Sequence, residues 1–239
     1  MSRNKTAREE LLSTVTKLRW SLTSLHWGGI VDWTVTASPE ARSIGQPARQ
    51  QENASDPKGT LNSIQSELGD CNRCRLHQTR TRIVFGEGSA RASIVFVGEG
   101  PGYDEDQQGR PFVGRAGKLL DKMIKALGLA REQVYICNMV KCRPPNNRTP
   151  NSDEIDICSP FLVKQIESIR PRVICALGAC SAQNLLRSTS PISRLRGRIH
   201  HWRGIPLVAT FHPAYLLRNP SQKSAAWQDL LEIHRIVND

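Results

Sequence analysis

The sequence lacks any long hydrophobic run. No stretch of its 239 residues approaches the 18 or more apolar residues that a membrane-spanning helix needs. The first residues also lack the apolar core of a secretion signal. We therefore expect a soluble, intracellular protein.

Acidic side chains are also in short supply. Aspartate and glutamate number 22 against 33 lysines and arginines, which gives a formal net charge of +11. Such an excess favours an anionic partner, and nucleic acid is the leading candidate. The alternative is that the basic side chains only keep the protein in solution.

The chain has seven cysteines, an odd number, so they cannot all pair in disulfide bonds. In a reducing compartment this argues against a disulfide framework and favours metal ligation or simple burial. A C-x2-C pair is followed by two scattered cysteines next to or near prolines; these four are Cys71, Cys74, Cys142 and Cys158. Four thiolates suit either zinc or an iron–sulfur cluster, and the single short pair favours the cluster. We expect the remaining three, Cys137, Cys175 and Cys180, to be buried in the core.

The first 59 residues differ in composition from the rest of the chain. Apolar residues recur at helical spacing from Leu11 to Leu25, and two glycines follow, which predicts an amphipathic helical extension over residues 1–35. Residues 36–59 are rich in proline, glycine and polar side chains, as in a flexible linker. The functional domain is predicted to span residues 60–239.

From residue 60 onwards the pattern alternates between strands and helices. Apolar, β-branched runs predict four strands, at Ile94–Val97, Val134–Ile136, Val173–Leu177 and Pro206–Thr210. Helical patterns lie between them, at Gly117–Leu127, Asp153–Ile169 and Ala179–Leu186. This order predicts an α/β fold, a three-layer α/β/α sandwich around a central, mostly parallel, four-stranded sheet. Ligands of such sheets bind beyond the carboxyl ends of the strands, where the unusual loops of this chain lie.

The loop after the first predicted strand, "GEGPGYDED", is rich in both glycine and acid. Glycine loops after strands often bind phosphate, but these carboxylates would repel it, and no P-loop lysine follows. A nucleotide-binding α/β enzyme is therefore disfavoured.

Three motifs occur in order between about Leu61 and the C-terminus: "GEGPGYDEDQQGRPFVGRAGKLLD", "NMVKCRPPNNRTP" and "FHPAYLLRNP". With the four cysteines in their order, they resemble the family 4 uracil-DNA glycosylases, the iron–sulfur branch of that superfamily. The resemblance implies a base-excision repair enzyme that flips deoxyuridine out of DNA, hydrolyses its N-glycosidic bond and leaves an abasic site. It also implies a 4Fe–4S cluster on the four cysteines named above, with a structural role.

The resemblance further assigns the uracil pocket to seven residues: Glu99, Gly100, Pro101, Glu105, Phe112, Asn138 and His212. Phe112 would stack on the base, and Asn138 would read N3–H and O4 through its paired acceptor and donor. His212 would donate a hydrogen bond to O2, where negative charge grows. Glu105 would exclude the methyl group of thymine.

Glu99 is the best candidate for activating the attacking water. The best-studied branch of the superfamily carries an aspartate at the position aligned with Gly100, and family 4 lacks it. Catalysis would then depend mainly on stabilising the departing base.

Base flipping leaves a gap in the stack, which Leu216 or Leu217 would fill while Arg218 contacts phosphate. The alternative is that both leucines pack inside a short helix. Further phosphate contacts are expected from two basic stretches, with the residues Lys141, Arg143 and Arg148, and Arg194, Arg196, Arg198 and Arg203. For the second stretch, the alternative is a solvated basic hairpin.

There are two other interpretations, and the sequence disfavours the second. One is a non-catalytic iron–sulfur module that binds DNA. The other is a branch that traps DNA covalently through a histidine inserted after the second predicted strand, and residues 143–151 contain neither histidine nor insertion. We expect a monomer in a prokaryotic cytoplasm, associated with the nucleoid, whose N-terminal helix can bind a protein partner.

Overall fold

The computed structural model describes residues 56–239. The predicted N-terminal helix and most of the predicted linker lie outside this range. Helix α1 (Pro57–Leu68) begins after Asp56, whose carboxylate accepts hydrogen bonds from the main-chain N–H groups of Lys58 and Gly59. Residues 57–59, predicted as the end of the linker, therefore form the first turn of this helix.

The described residues contain one six-stranded sheet in the order β1-β3-β2-β4-β6-β5. The strands span Glu87–Gly88, Ile94–Gly98, Tyr135–Asn138, Val173–Leu177, Ile199–Trp202 and Ile205–Thr210 for β1 to β6. The four predicted strands are β2, β3, β4 and β6, and they pair in parallel. This confirms the predicted parallel centre.

Two antiparallel edge strands, β1 and β5, were not predicted. β1 has only two residues, and β5 lies in a basic stretch with its side chains largely exposed. Neither segment carries the apolar run by which the other strands are recognised. Strands β5 and β6 form a hairpin whose tip residues, Arg203 and Gly204, both have positive φ.

Seven further helices follow α1, and three of them lie at the predicted positions. Their bounds are α2 Tyr103–Gln108, α3 Arg115–Ala126, α4 Ser152–Ile169, α5 Ala179–Leu186, α6 Ile192–Leu195, α7 Pro213–Arg218 and α8 Lys223–Asn238. The predicted helices correspond to α3, α4 and α5, with ends that agree within two residues. Over residues 56–239, no helix is both long and apolar enough to cross a membrane.

The sheet lies between two helical layers. Side chains from alternate strand positions, such as Val95, Val97 and Ile174, join one core with the buried faces of α1, α4, α5 and α6. The intervening positions face the other layer, where α8 contacts β4 and β6 and α3 packs on α7. The predicted three-layer α/β/α architecture is therefore confirmed.

Candidate active site

The carboxyl ends of β2 and β3 meet where Gly98 pairs with Asn138. A Cβ atom at Gly98 would overlap Asn138 Oδ1 and lie only 2.6 Å from the Phe112 ring. Glycine is therefore needed at this position, because the Asn138 and Phe112 side chains converge directly above it.

Asn138 carries an orphaned polar atom. Its side chain is buried, and among residues 56–239 its Oδ1 is the one buried side-chain oxygen or nitrogen without a hydrogen-bond partner. Leaving such an atom unsatisfied costs about 1–3 kcal/mol. A ligand N–H that reached Oδ1 would recover this energy, so this position is suited to a ligand with a hydrogen-bond donor.

Phe112 is buried beside Asn138 and has a left-handed backbone, with φ of 50°. Its ring centroid lies 5.6 Å from that of His212, with 33° between the ring planes. The structure therefore brings together three residues that lie far apart in the sequence, Phe112, Asn138 and His212.

His212 precedes α7 and caps it. Its Nδ1 accepts a hydrogen bond from the main-chain N–H of Ala214 at 3.1 Å. Burial, and then the charge of Arg218, lower the pKa of His212 to about 4. The ring is therefore neutral at pH 7, and because Nδ1 is an acceptor, the proton is on Nε2.

The Glu105 carboxylate accepts hydrogen bonds from the main chain of its own loop. One carboxylate oxygen accepts from the main-chain N–H groups of Val113 and Gly114, at 2.8 and 2.9 Å, and the other accepts from Gly102 at 3.1 Å. Glu105 therefore holds the segment that carries Phe112, which the sequence did not predict. Its role against thymine stays a prediction.

Glu99 begins the glycine loop and is partly buried. Burial raises the pKa of its carboxyl group, although a hydrogen bond with Thr149 offsets part of the rise. A Cβ atom at Gly100 would lie 2.9 Å from a methyl group of Val140, so the glycine allows the loops after β2 and β3 to approach closely. Pro101, the next residue, is buried.

The four cysteines with the ligand pattern converge on the α4 side of the sheet. Cys71 and Cys74 follow α1, Cys142 follows β3 and Cys158 lies on α4. Burial raises the pKa of the Cys142 thiol to about 12, with contributions from Cys158 and Cys74, and Cys158 is similarly affected by Cys74 and Cys71. The four sulfur atoms are therefore close enough to interact electrostatically.

Three N–H donors also point at these sulfur atoms. The Arg73 and Arg80 guanidinium groups donate to Cys71 and Cys142 at 3.2 and 3.5 Å, and the Lys141 main-chain N–H donates to Cys158 at 3.3 Å. Within residues 56–239, no group of three or more acidic, histidine or cysteine side chains could hold a metal ion. A cubane cluster binds each thiolate at a different iron, so it needs a wider set of sulfur atoms than a single ion does. Four cysteine thiols with N–H donors beside them are, in their chemistry, the donor set that such a cluster uses.

The other cysteines are core residues. Cys137, Cys175 and Cys180 are buried, as predicted.

Lys141 does not contact phosphate in this conformation, so that prediction is wrong. Its side chain is fully buried, and its ammonium group donates to the carbonyl of Asn138 at 2.9 Å and to Gln165 Oε1 at 2.7 Å. Gln165 in turn donates to the Tyr135 hydroxyl and the Phe85 carbonyl. This chain of hydrogen bonds supports the end of β3 from the α4 side.

The other cations predicted to contact phosphate differ in whether they already have partners within the protein. Arg148 makes a two-point ion pair with the buried Glu154, at 2.8 and 2.6 Å. Arg143 bonds Asn147 and lies 5.1 Å from the ring centroid of Tyr103, an exposed aromatic residue that the sequence did not single out. Arg198 and Arg218 are exposed.

The second basic stretch is partly structural. Arg196 pairs with the buried Asp229, which also accepts from Thr210, and Arg203 pairs with Glu167. Arg196 therefore supports the fold, and its phosphate contact stays a prediction, whereas Arg194 and Arg198 are exposed near the β5–β6 hairpin.

Of the two candidate wedge residues, Leu216 is fully buried and Leu217 is exposed. The burial of Leu216 excludes it from insertion into DNA. Leu217 is left as the candidate.

One cavity of the described domain lies away from these residues. It has a volume of about 910 Å³ and opens between α4, α5 and β5, with Trp202 and Leu186 among its lining residues. Its size does not make it the site, because the orphaned Asn138 Oδ1, Phe112 and His212 lie on the opposite face of the sheet.

Similarity to known proteins agrees with this site. Residues 85–231 match the uracil DNA glycosylase superfamily. The type-4 uracil-DNA glycosylase of Sulfurisphaera tokodaii is 46% identical over 187 residues, which cover 74% of this chain and 85% of that protein. The type-4 enzyme of Thermotoga maritima is 50% identical over 162 residues, covering 67% and 84%. The type-5 enzyme of Pyrobaculum aerophilum is more distant, at 28% identity over 193 residues, covering 67% and 85%.

The predicted resemblance is therefore confirmed by a family match over more than half of the chain. Five type-4 enzymes match it at 41–50% identity. The chain belongs to the uracil DNA glycosylase superfamily and, within it, to the type-4 uracil-DNA glycosylases.

Proposed function

We propose that this chain hydrolyses the N-glycosidic bond of deoxyuridine in DNA, releasing uracil and leaving an abasic site for base excision repair. The observation that carries this proposal is the unpaired Oδ1 of buried Asn138, which lies above Gly98 beside the Phe112 ring, with His212 next to that ring. A flipped base is read through such a pocket by hydrogen bonds to its edge and by stacking.

Asn138 discriminates uracil from cytosine. Its Oδ1 accepts from uracil N3–H, and its amide donates to O4. Cytosine presents an acceptor at N3 and a donor at the exocyclic amine, so the same amide meets it with the wrong polarity. Phe112 stacks on the base, and the main chain of Glu99, Gly100 and Pro101 lines its edge.

His212 stabilises the leaving group. As the C1′–N1 bond breaks, its electron pair moves into the base and negative charge grows on O2. The neutral imidazole with its proton on Nε2 donates a hydrogen bond to that oxygen. Water adds to C1′ and loses a proton, while the uracil anion is protonated on release. Glu99 accepts the proton of the attacking water in its ionised form.

DNA binds over the loops at the carboxyl ends of the strands. Exposed Leu217 fills the gap left by the flipped nucleotide, and exposed Arg198 and Arg218 contact phosphates. Arg143 contributes from the loop after β3, whereas Arg148 reaches phosphate only if its pairing with Glu154 is loosened.

We also propose that Cys71, Cys74, Cys142 and Cys158 hold a 4Fe–4S cluster. When bound, the cluster would join the segment after α1 to α4 and to the loop after β3, which is a structural role. The N–H groups that point at the sulfur atoms support this ligand set. The visible spectrum of anaerobically purified protein tests it: brown protein with iron and sulfide is expected, and Cys142→Ala should lose the colour. Colourless protein that contains zinc would overturn the iron assignment.

A uracil-release assay tests the enzymatic proposal. A labelled single-stranded oligonucleotide with one deoxyuridine is incubated with the protein and then cleaved with alkali at abasic sites. The same oligonucleotide with deoxycytidine or thymidine at that position is the matched control. Cleavage of the deoxyuridine strand alone is expected. Binding of all three strands with no cleavage would favour the non-catalytic DNA-binding module.

A monomeric state, a protein partner for the N-terminal segment and a location beside a prokaryotic nucleoid stay predictions.

A further inference from the structure

Phe112 has a backbone conformation that a bulky side chain rarely adopts. Its φ is 50°, and its ring lies above Gly98. A Cβ atom at Gly117 would overlap the carbonyl group of Phe112, so the main chain of the two residues is in close contact. Such a conformation persists only where the surrounding structure fixes it, and it is often found at functional sites.

Arg131 contacts the main chain at this strained point. It lies before β3 and is largely buried, with 15% of its side chain exposed. Its guanidinium donates to the carbonyl oxygen of Phe112 at 3.2 Å and to the carbonyl oxygen of Pro111. One side chain therefore holds two successive peptide groups.

The Arg131 guanidinium is itself held by two carboxylates. Its Nε donates to Glu87 at 2.6 Å and its Nη1 to Asp121 at 2.7 Å. Because the donors of arginine form a planar fork, these two partners fix the direction of the remaining N–H groups. Glu105 binds the N–H groups of Val113 and Gly114, so the main chain is held on both sides of Phe112.

We propose that Arg131 is a positioning residue for uracil excision, which holds Phe112 in the conformation that presents its ring to the flipped base. Arg131 lies outside the three motifs and acts only through the main chain of residues 111 and 112. This inference rests on the proposed stacking role of Phe112.

The test compares Arg131→Gln with Arg110→Gln. Arg110 also pairs with Glu87, at 2.8 and 3.2 Å, and no hydrogen bond joins it to the carbonyl groups around Phe112 in the described structure. The two variants therefore remove the same charge beside the same carboxylate. We expect Arg131→Gln to lower kcat/KM for uracil release by about 5- to 150-fold, the range of base–aromatic stacking. Arg110→Gln should stay within about twofold of wild type.

A double-mutant cycle with Phe112→Ala separates positioning from general support of the fold. If Arg131 acts through the ring, Arg131→Gln should change kcat/KM by less than about threefold in the Phe112→Ala background. Inhibition by free uracil should weaken in Arg131→Gln and in Phe112→Ala alike. Undiminished loss in the double variant, or equal activities of Arg131→Gln and Arg110→Gln, would overturn the proposal.

Asp121→Asn provides a milder variant if Arg131→Gln folds poorly. It removes one of the two carboxylates that direct Arg131, and a smaller loss of the same kind is expected. Wild-type uracil inhibition in folded Asp121→Asn would count against the proposal. A wild-type rate for Phe112→Ala would rule out the stacking role of Phe112 and, with it, the positioning role of Arg131. A slow Phe112→Ala beside a wild-type Arg131→Gln removes only the positioning role.

Discussion

Asn138 and Lys141 lie three residues apart at the end of β3, and both are buried polar residues with opposite outcomes. The Asn138 Oδ1 has no partner, whereas the Lys141 ammonium donates to both a carbonyl and a side-chain amide. One side chain faces the pocket beside Phe112, and the other lies on the α4 side with Gln165. The difference teaches that an unsatisfied buried atom marks a place for a ligand, and a satisfied one marks support.

The largest effect is expected from His212→Ala, which changes the side of β3 on which Asn138 and Phe112 lie. Loss of the Nε2–H donor should lower kcat by about 10²- to 10³-fold, as for other donors to a developing oxyanion. Single-turnover rates of uracil release measure the effect, and thermal unfolding serves as the control. A loss below about fivefold would show that stabilisation of O2 comes from elsewhere.

The same histidine should affect stability in acid. Its pKa is about 4 in the folded chain against 6.5 as its ordinary value, so the unfolded chain binds the proton more readily between these values. This contribution to stability is therefore complete above about pH 6.5, falls by about 3 kcal/mol as the pH drops from 6.5 to 4, and levels off below 4.

Denaturant unfolding of wild type and His212→Asn between pH 4 and 7 measures this contribution. The variant should lose less stability on acidification than wild type does. Parallel curves for the two proteins would contradict the assignment of a neutral imidazole in the folded chain.

Lys141→Met tests the support side. The change leaves the Gln165 Oε1 and the Asn138 carbonyl without their buried donor, and we expect a loss of about 2–4 kcal/mol in the free energy of unfolding. Selectivity for uracil over cytosine should survive in the folded fraction. Lower stability with altered base selectivity would mean that the two sides of β3 are coupled.

Asn138→Asp changes the side chain on the other side of β3, beside Phe112. The carboxylate keeps the acceptor for N3–H and removes the amide donor to O4, so uracil is bound less well and its advantage over cytosine should fall by about tenfold or more. Rates on matched deoxyuridine and deoxycytidine strands measure the selectivity. If the ratio is unchanged, Asn138 does not read the base.

The smallest effect is expected from the surface cations. Arg198→Gln should reduce the slope of log affinity against log salt by about 0.7–0.9, because one phosphate contact is lost. Arg148→Gln is the matched comparison, since Arg148 is paired with buried Glu154 and its loss should chiefly affect stability. Equal slopes for Arg198→Gln and wild type would remove Arg198 from the DNA interface.

Much of the fold could be predicted from the sequence because its signals are local. The apolar runs of β2, β3, β4 and β6 and the helical periods between them need only neighbouring residues to be recognised. The edge strands β1 and β5 carry no such signal, since their pairing with β3 and β6 decides their conformation.

The basic residues show the limit of such reasoning. From the sequence, Lys141, Arg148 and Arg196 were expected to contact phosphate just as Arg198 was. In the structure they are occupied by Gln165, Glu154 and Asp229, two of them on partners more than twenty residues away. Glu105, predicted to exclude thymine, also holds the main chain around Phe112, which the sequence did not indicate.

By itself, the sequence determined the four parallel strands, the helices α3, α4 and α5 between them, the glycine loop and the four spaced cysteines, because residue type and spacing carry these features directly. Only the tertiary structure decided which polar groups are satisfied and which are left open, because hydrogen bonds and ion pairs join residues far apart in the chain. It therefore separated the unpaired Asn138 from the paired Lys141, and it placed Arg131 beside Phe112.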